Sequence, residues 1–315
     1  MNTLNLKEVV LGILTVSFSI AVFWMWHQVT PKIVAGEFQN YIDFLWPVLG
    51  LILTGTFFSL GALFTSNVRL LYPTVTISIG APFFFIPATN TALAGLAISV
   101  LFIIYAVWRI KTEAEHSLGF SATKFLKAGL PIYFTIVSLL ISMFFFSQIG
   151  EDEDRVFATL LPKSAIEIAI GPLQSLMGLS AAKPNSTIDE AFTELIIEQL
   201  KSQGIKNVPQ SELARLLRDQ REELSKSFGL KLSGKERISD ILYEFISRRF
   251  RELLGPYKEY LPYASTIAFF FAFKALTFPI YYLTLLITFI LIRIMVAVTI
   301  LKREKIQIEV ERLTL

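Results

Sequence analysis

His27 and His116 are the only imidazoles in this chain, and cysteine is absent. Acid–base and nucleophilic chemistry therefore falls to carboxylates, hydroxyls and amines. Without thiols there is no disulfide, no thiolate zinc site and no thiol nucleophile, and two histidines do not make a His-rich metal cluster. A Ser-His-acid arrangement would have to use His27 or His116. His116 stands among Glu113, Glu115 and Ser117, a grouping that reads as polar loop surface. The chain has no paired-histidine zinc motif, phosphate-cradling glycine loop, GxSxG elbow or intramembrane aspartate pair. The densest acidic run, Glu151-Asp152-Glu153-Asp154, lacks the glycine and closing glutamate of a calcium loop and reads as solvated charge. The catalytic, cofactor and metal readings are accordingly all none. Enzymatic activity is left open, with the balance toward a non-enzymatic role.

Other residues stand out because of where they fall. Asp43, Lys274 and Arg293 lie in or beside long apolar stretches, where an ionisable group is costly and often functional. Asp43 also suits a helix N-terminus, and Arg293 can snorkel to an interface. Pro73, Gly80, Pro82 and Pro87 interrupt one apolar segment. They predict a kinked or partly unwound helix, and freed carbonyls of that kind bind solutes in transporters, although proline and glycine are common in ordinary membrane helices. Thr91, Gly95 and Ser99, spaced by four, form a small-residue ridge for close helix packing. Arg248, Arg249 and Arg251 end an amphipathic helix and are candidates for anionic headgroups or an acidic partner. A helix C-terminus accounts for such residues equally well. Asn185-Ser186-Thr187 fits the glycosylation sequon.

The elements that must carry these residues are mostly of bilayer length. The 315 residues are 53% hydrophobic and 17% charged, with mean hydropathy +0.57, outside the soluble globular range. A helical span needs about 20 apolar residues, and such runs occur near 9–29, 41–64, 70–87, 89–108 and 126–148. The first ends in Phe23-Trp24-Met25-Trp26 rather than in small residues, so it reads as an uncleaved span. A further apolar region covers 263–301. It reads as one crossing over 278–301, preceded by a helix over 262–277. The alternative is two spans with a turn at Lys274, Pro279, Tyr281 and Tyr282.

Short loops on one side hold Lys7, Arg69, Arg109, Lys111, Lys124 and Lys127, and the other side holds Lys32 alone. By the positive-inside rule the N-terminus is cytoplasmic and 150–260 extracytoplasmic, at the plasma membrane if the source is prokaryotic. The net charge of +3 is spread over span ends and the insert, with no basic stripe for nucleic acid.

Residues 187–254 read as three amphipathic helices in a small bundle. The first opens on the capping box Thr187…Glu190 and closes at Gly204, and the second starts near Pro209. The third opens on a second box, Ser233…Glu236, and stops at Gly255-Pro256. A core of about 70 residues is near the lower limit for independent folding, so packing on another surface is expected. Residues 155–182, apolar but broken by Pro162, Gly171 and Pro172, suit an interfacial helix or a fourth helix of the module. The tract 306–311 alternates with period two, as a strand would.

The predicted fold class is thus an all-α polytopic membrane protein: five N-terminal transmembrane helices, an inserted water-facing helical bundle, then one or two C-terminal transmembrane helices. The predicted divisions are 1–149, 150–186, 187–260, 261–301 and a charged tail at 302–315. The expected function is a membrane scaffold or assembly factor whose helical module binds another envelope protein. Its expected partners are membrane lipid, another membrane or envelope protein, or a second copy of the chain. The alternatives are a small-solute transporter or channel using the broken third span, and then an enzyme acting on lipid or envelope precursors.

Overall fold

The computed structural model describes residues 6–35, 42–117, 119–150, 156, 157, 159, 161, 186–202, 209–229 and 231–301. Their regular structure is helical apart from one isolated antiparallel bridge, Thr187 to Arg237. The acidic run 151–154, nearly all of 155–185, and the tail with Lys302, Arg303, Lys305 and the period-two tract lie outside the described residues. The chain forms two compact units, one built on 1–31, 39–148 and 266–315, the other on 32–38 and 149–265.

The helices in chain order are α1 (Leu6–Val34), α2 (Ile42–Phe64), α3 (Val68–Gly80), α4 (Asn90–Glu115), α5 (Ala122–Ile149), α6 (Ile188–Ser202), α7 (Gln210–Phe228), α8 (Ile238–Leu254) and α9 (Leu261–Ala297). Among the described residues five helical runs are long and apolar enough to cross a membrane: α1, α2, α4, α5 and the run Ile238–Ala297 that ends in α9. The protein is therefore an all-helical, multi-pass membrane candidate.

The third predicted span is shorter than 70–87 suggests. Its α-helix ends at Gly80, and Ala81–Phe84 tighten into a 3₁₀ turn closed by the Phe85 amide on the Pro82 carbonyl. The cause is local: Pro82 cannot donate to the ladder, and Gly80 is a weak helix former. At about 1.5 Å per α residue and 2 Å per 3₁₀ residue the segment reaches roughly 27 Å, just under a bilayer core. At the other end of the chain, Leu261–Ala297 is one uninterrupted helix with Pro279 inside it. No turn intervenes at Pro279. At 37 residues it is about 55 Å long, well beyond the hydrocarbon thickness.

Glycines set how closely the membrane-unit helices approach. A Cβ at Gly50 of α2 would lie 2.6 Å from Val22 of α1, and one at Gly12 of α1 would lie 3.1 Å from Thr74 of α3. A Cβ at Gly129 of α5 would strike the Ala106 carbonyl of α4. Aromatic contacts fill the remaining space: Phe58 stacks on Tyr133 at 4.4 Å, and Phe145 on Phe269 at 4.2 Å. Several hydroxyls inside this apolar packing turn back on their own helices. Thr54, Ser59, Ser138, Ser142 and Thr284 each donate to the carbonyl four residues earlier. A buried hydroxyl needs such an acceptor where water is absent.

In the second unit α6 and α8 form a core of Ile188, Ala191, Phe192, Ile196, Ile238, Ile241 and Leu242, and α7 packs Leu213, Leu216, Leu217 and Leu224 against it. The Thr187…Glu190 box forms reciprocally, Thr187 N to Glu190 Oε2 at 2.9 Å and Glu190 N to Thr187 Oγ1 at 3.3 Å. The second predicted box does not begin a helix. The Glu236 carboxylate accepts from Ser233 N, Ser233 Oγ and Gly234 N, which closes a turn, and α8 starts only at Ile238. The turn backbone is used elsewhere. Ile188 N donates to Glu236 O, Asp189 N to Gly234 O, and Ile238 N to Ser186 O, so the starts of α6 and α8 are clasped together.

Candidate functional site

Lys274 is the ionisable side chain that the fold places most unusually. It lies in the middle of α9, where Phe269 stacks on Phe145 and the Tyr281 ring meets Phe134 edge-on at 6.5 Å. These contacts run α9 antiparallel to α5. The Lys274 ammonium donates to Thr135 Oγ1 at 2.5 Å and to the Pro131 carbonyl at 3.3 Å. Thr135 in turn donates to the same carbonyl at 2.8 Å. Among the described residues both acceptors are neutral, and no carboxylate pairs with this cation. The sequence offers Lys274 as a candidate intramembrane residue and, in the two-span alternative, as part of an interfacial turn; that turn does not form, and the residue sits in an unbroken helix against the mid-part of α5.

Two further polar atoms are buried nearby on α1. Trp26 is 2% exposed and its ring packs edge-on against Phe273 at 4.9 Å, leaving Nε1 without an acceptor. His27 stacks on Phe85, the residue that closes the 3₁₀ turn, and tilts against Phe144, both at 5.8 Å. Its Nδ1 is likewise unpartnered. The signal for this pair is two polar aromatics side by side in an apolar run, which the sequence shows only as a span end.

At the opposite end of α1, Glu8 holds the α2–α3 turn. Its carboxylate accepts from Ser66 Oγ at 2.7 Å, Ser66 N at 3.2 Å and Asn67 N at 3.3 Å. Lys111 of α4 donates to the Thr65 carbonyl at 2.7 Å. Asn67 caps α3 through the Arg69 amide. Beside this turn lies a cleft of about 260 Å³, open solvent at its mouth included, lined by residues such as Glu8, Gly12, Thr15, Gly61, Thr65 and Thr74. Its enclosed part has room for about one water. Glu8 is absent from the sequence-predicted site residues; its one sequence signal is an acid in the first turn of an apolar helix.

The other predicted residues scatter. Asp43 lies half-exposed in the first turn of α2, and the exposed Arg293 guanidinium lies over the Phe289 ring at 5.1 Å. Pro73 is inside α3, Gly80 and Pro82 flank the start of the 3₁₀ turn, and Pro87 lies in the link to α4. On α4 the buried stripe contains Ser99, with its hydroxyl unpartnered, and a Cβ at Gly95 would lie 2.6 Å from Met143 of α5. Thr91 is instead exposed at the cap, bonded to Thr89. The three arginines of α8 have partners in their own unit. Arg248 closes α7 through the Gly229 carbonyl at 2.8 Å, Arg249 pairs with Glu252 at 3.0 Å, and Arg251 lies over the Phe157 ring at 5.6 Å.

In the second unit the shortest ion pair among the described residues joins α7 to α6. Arg221 Nη2 of α7 lies 2.7 and 2.6 Å from the two Asp189 carboxylate oxygens at the start of α6. Glu236 is held down to about 2, first by the Ser233 hydroxyl and then by the Ser233 and Gly234 amides, against the opposing effect of burial. No cluster of three or more metal-ligating side chains occurs among the described residues. No protein-family model, curated protein or solved structure matches this chain.

Proposed function

We propose that this protein is a non-enzymatic membrane scaffold or assembly factor, and that its helical module, α6 to α8, docks another envelope protein. The supporting observation is the character of α7. It is strongly amphipathic, and Leu213, Leu216, Leu217 and Leu224 pack on the module core while remaining only partly buried. The rest of the module is tied inward by the clasp, by the Asp189–Arg221 pair and by the bonds of Arg248. A partly covered leucine stripe along an amphipathic helix is the kind of surface a partner helix uses. On this reading the short basic loops face the cytoplasm and the module faces outward. The test is full-length protein carrying Leu216→Glu and Leu217→Glu. It should reach the membrane in normal yield and lose a specific crosslinked partner that the parent chain retains. If crosslinking of the parent chain recovers no partner, the reading fails.

Passage of a small solute or ion is a second reading, favoured by the cleft beside Glu8 and the early end of α3. It expects Glu8→Gln to change flux in reconstituted vesicles at unchanged folded yield. Unchanged flux removes it.

A further inference from the structure

The Lys274 ammonium is a cation held at membrane depth with no anion beside it among the described residues. The uncharged stretch of α5 runs over 128–149, about the length of a bilayer crossing. Thr135, seven residues in, therefore lies about 10 Å inside the nearer edge of the hydrocarbon core. The lysine stem carries its charge to Thr135 and Pro131, so the charge does not escape to a headgroup layer. Two neutral acceptors leave one ammonium proton for a further partner. A lone charge at that depth is costly, and such residues pair with one another across membrane helices.

The surface around it is shaped for a helix. Ile267, Phe271, Lys274, Phe278 and Tyr282 recur at intervals of three and four along one face of α9, and Phe271 and Phe278 are 64% and 65% exposed.

We propose that this face of α9 docks a transmembrane helix of a different protein, one that carries an aspartate or glutamate at the depth of Lys274. Charge complementarity names the occupant. A second copy of this chain does not supply it, because 9–36, 44–112, 119–150 and 260–303 contain no acidic residue at all. A phospholipid phosphate lies beyond the hydrocarbon edge, out of hydrogen-bond reach of Nζ. This surface belongs to the membrane unit and stands independently of what the α6–α8 module binds.

The test uses purified full-length protein in phosphatidylcholine vesicles, dye-labelled at a single introduced cysteine (Ser117→Cys). The probe is a synthetic leucine-alanine transmembrane peptide bearing one central glutamate, compared with its glutamine twin. Energy transfer should appear at about tenfold lower peptide density for the glutamate peptide. Lys274→Arg should keep that preference and Lys274→Gln should abolish it; the arginine variant separates loss of charge from loss of fold. Moving the glutamate two turns toward the peptide end should also remove it. Equal association of the two peptides overturns the proposal, as does a preference that survives Lys274→Gln or the shift in depth. Loss of the preference on adding phosphatidylglycerol would make a lipid headgroup the occupant and overturn it equally.

Discussion

Arg221 grips both carboxylate oxygens of Asp189 across 32 residues of sequence, and Gly234 lies directly against that pair. A Cβ on Gly234 would overlap both carboxylate oxygens, and its φ of +93° disfavours any L side chain. Gly234→Ala should therefore destabilise the module by about 2–4 kcal/mol, from left-handed strain plus displacement of the ion pair. Urea-dependent proteolysis of the module in the full-length protein measures this. A change below about 0.5 kcal/mol, the usual limit for surface substitutions, would show that the turn is not so tightly built.

The Glu236 carboxylate carries a pH dependence of known sign. Its folded value, about 2, lies below the ordinary 4.5. Its contribution is thus complete above about pH 4.5 and is lost as pH falls toward 2. Module stability should decline through that window, and Glu236→Gln should flatten the decline while lowering stability at neutral pH. Parallel proteolysis series from pH 7 downward distinguish the two curves.

Close approach of α4 and α5 depends on Gly129, where a methyl group meets the Ala106 carbonyl oxygen. Backbone cannot yield as a side-chain tip can, so Gly129→Ala should lower folded yield in detergent and cost about 1–3 kcal/mol. Gly61, on α2, has nothing within 4 Å of the point where an alanine methyl would sit. Gly61→Ala should be tolerated and gain up to about 1 kcal/mol of helix stability.

The continuity of α9 through Pro279 is open to direct chemistry, because the chain has no native cysteine. Single cysteines at Phe278 and Tyr282 should resist a membrane-impermeant maleimide in intact vesicles. A water-facing turn at Pro279 would label both readily.

Thr299 is a β-branched residue at φ +61°, just past the end of α9. The Ile300 and Leu301 amides return to the Met295 carbonyl around it. Thr299→Gly relieves a conformation that costs a β-branched residue on the order of 1 kcal/mol. Thermal unfolding in detergent should shift upward; a downward shift would mean the hydroxyl's bond to Val298 O outweighs the strain.

Apolar length and caps made much of this fold legible. The Thr187…Glu190 box falls where spacing puts it, because it is local. The expected stop at Gly255-Pro256 does not interrupt the chain: the α-helix tightens there into a 3₁₀ stretch, Gly255–Tyr260, that leads directly into α9. The start of α8 was not legible. Ser233 and Glu236 satisfy the same pattern as a true box, and only the distant Ser186–Asp189 backbone decides that this stretch pairs instead of coiling. The candidate sites divide the same way. Proline and glycine mark the end of α3 from within a few residues. Lys274 finds Thr135 across 139 positions and Glu8 finds Ser66 across 58, and no local pattern encodes those encounters.

The clasp between the starts of α6 and α8 also dictates an order of events during synthesis. The amide of Ile188 has its acceptor on Glu236 and that of Asp189 on Gly234, so neither forms until the ribosome has passed that point. Closing a loop of that length forfeits chain entropy on the order of 3 kcal/mol, recovered only when Ile238, Ile241 and Leu242 arrive to cover Ile188 and Phe192. Until then the emerging α6 has only the partly buried leucines of α7 to cover its apolar face. Maturation of the module is consequently a late step, timed by the translation of α8 rather than by the insertion of the helices before it.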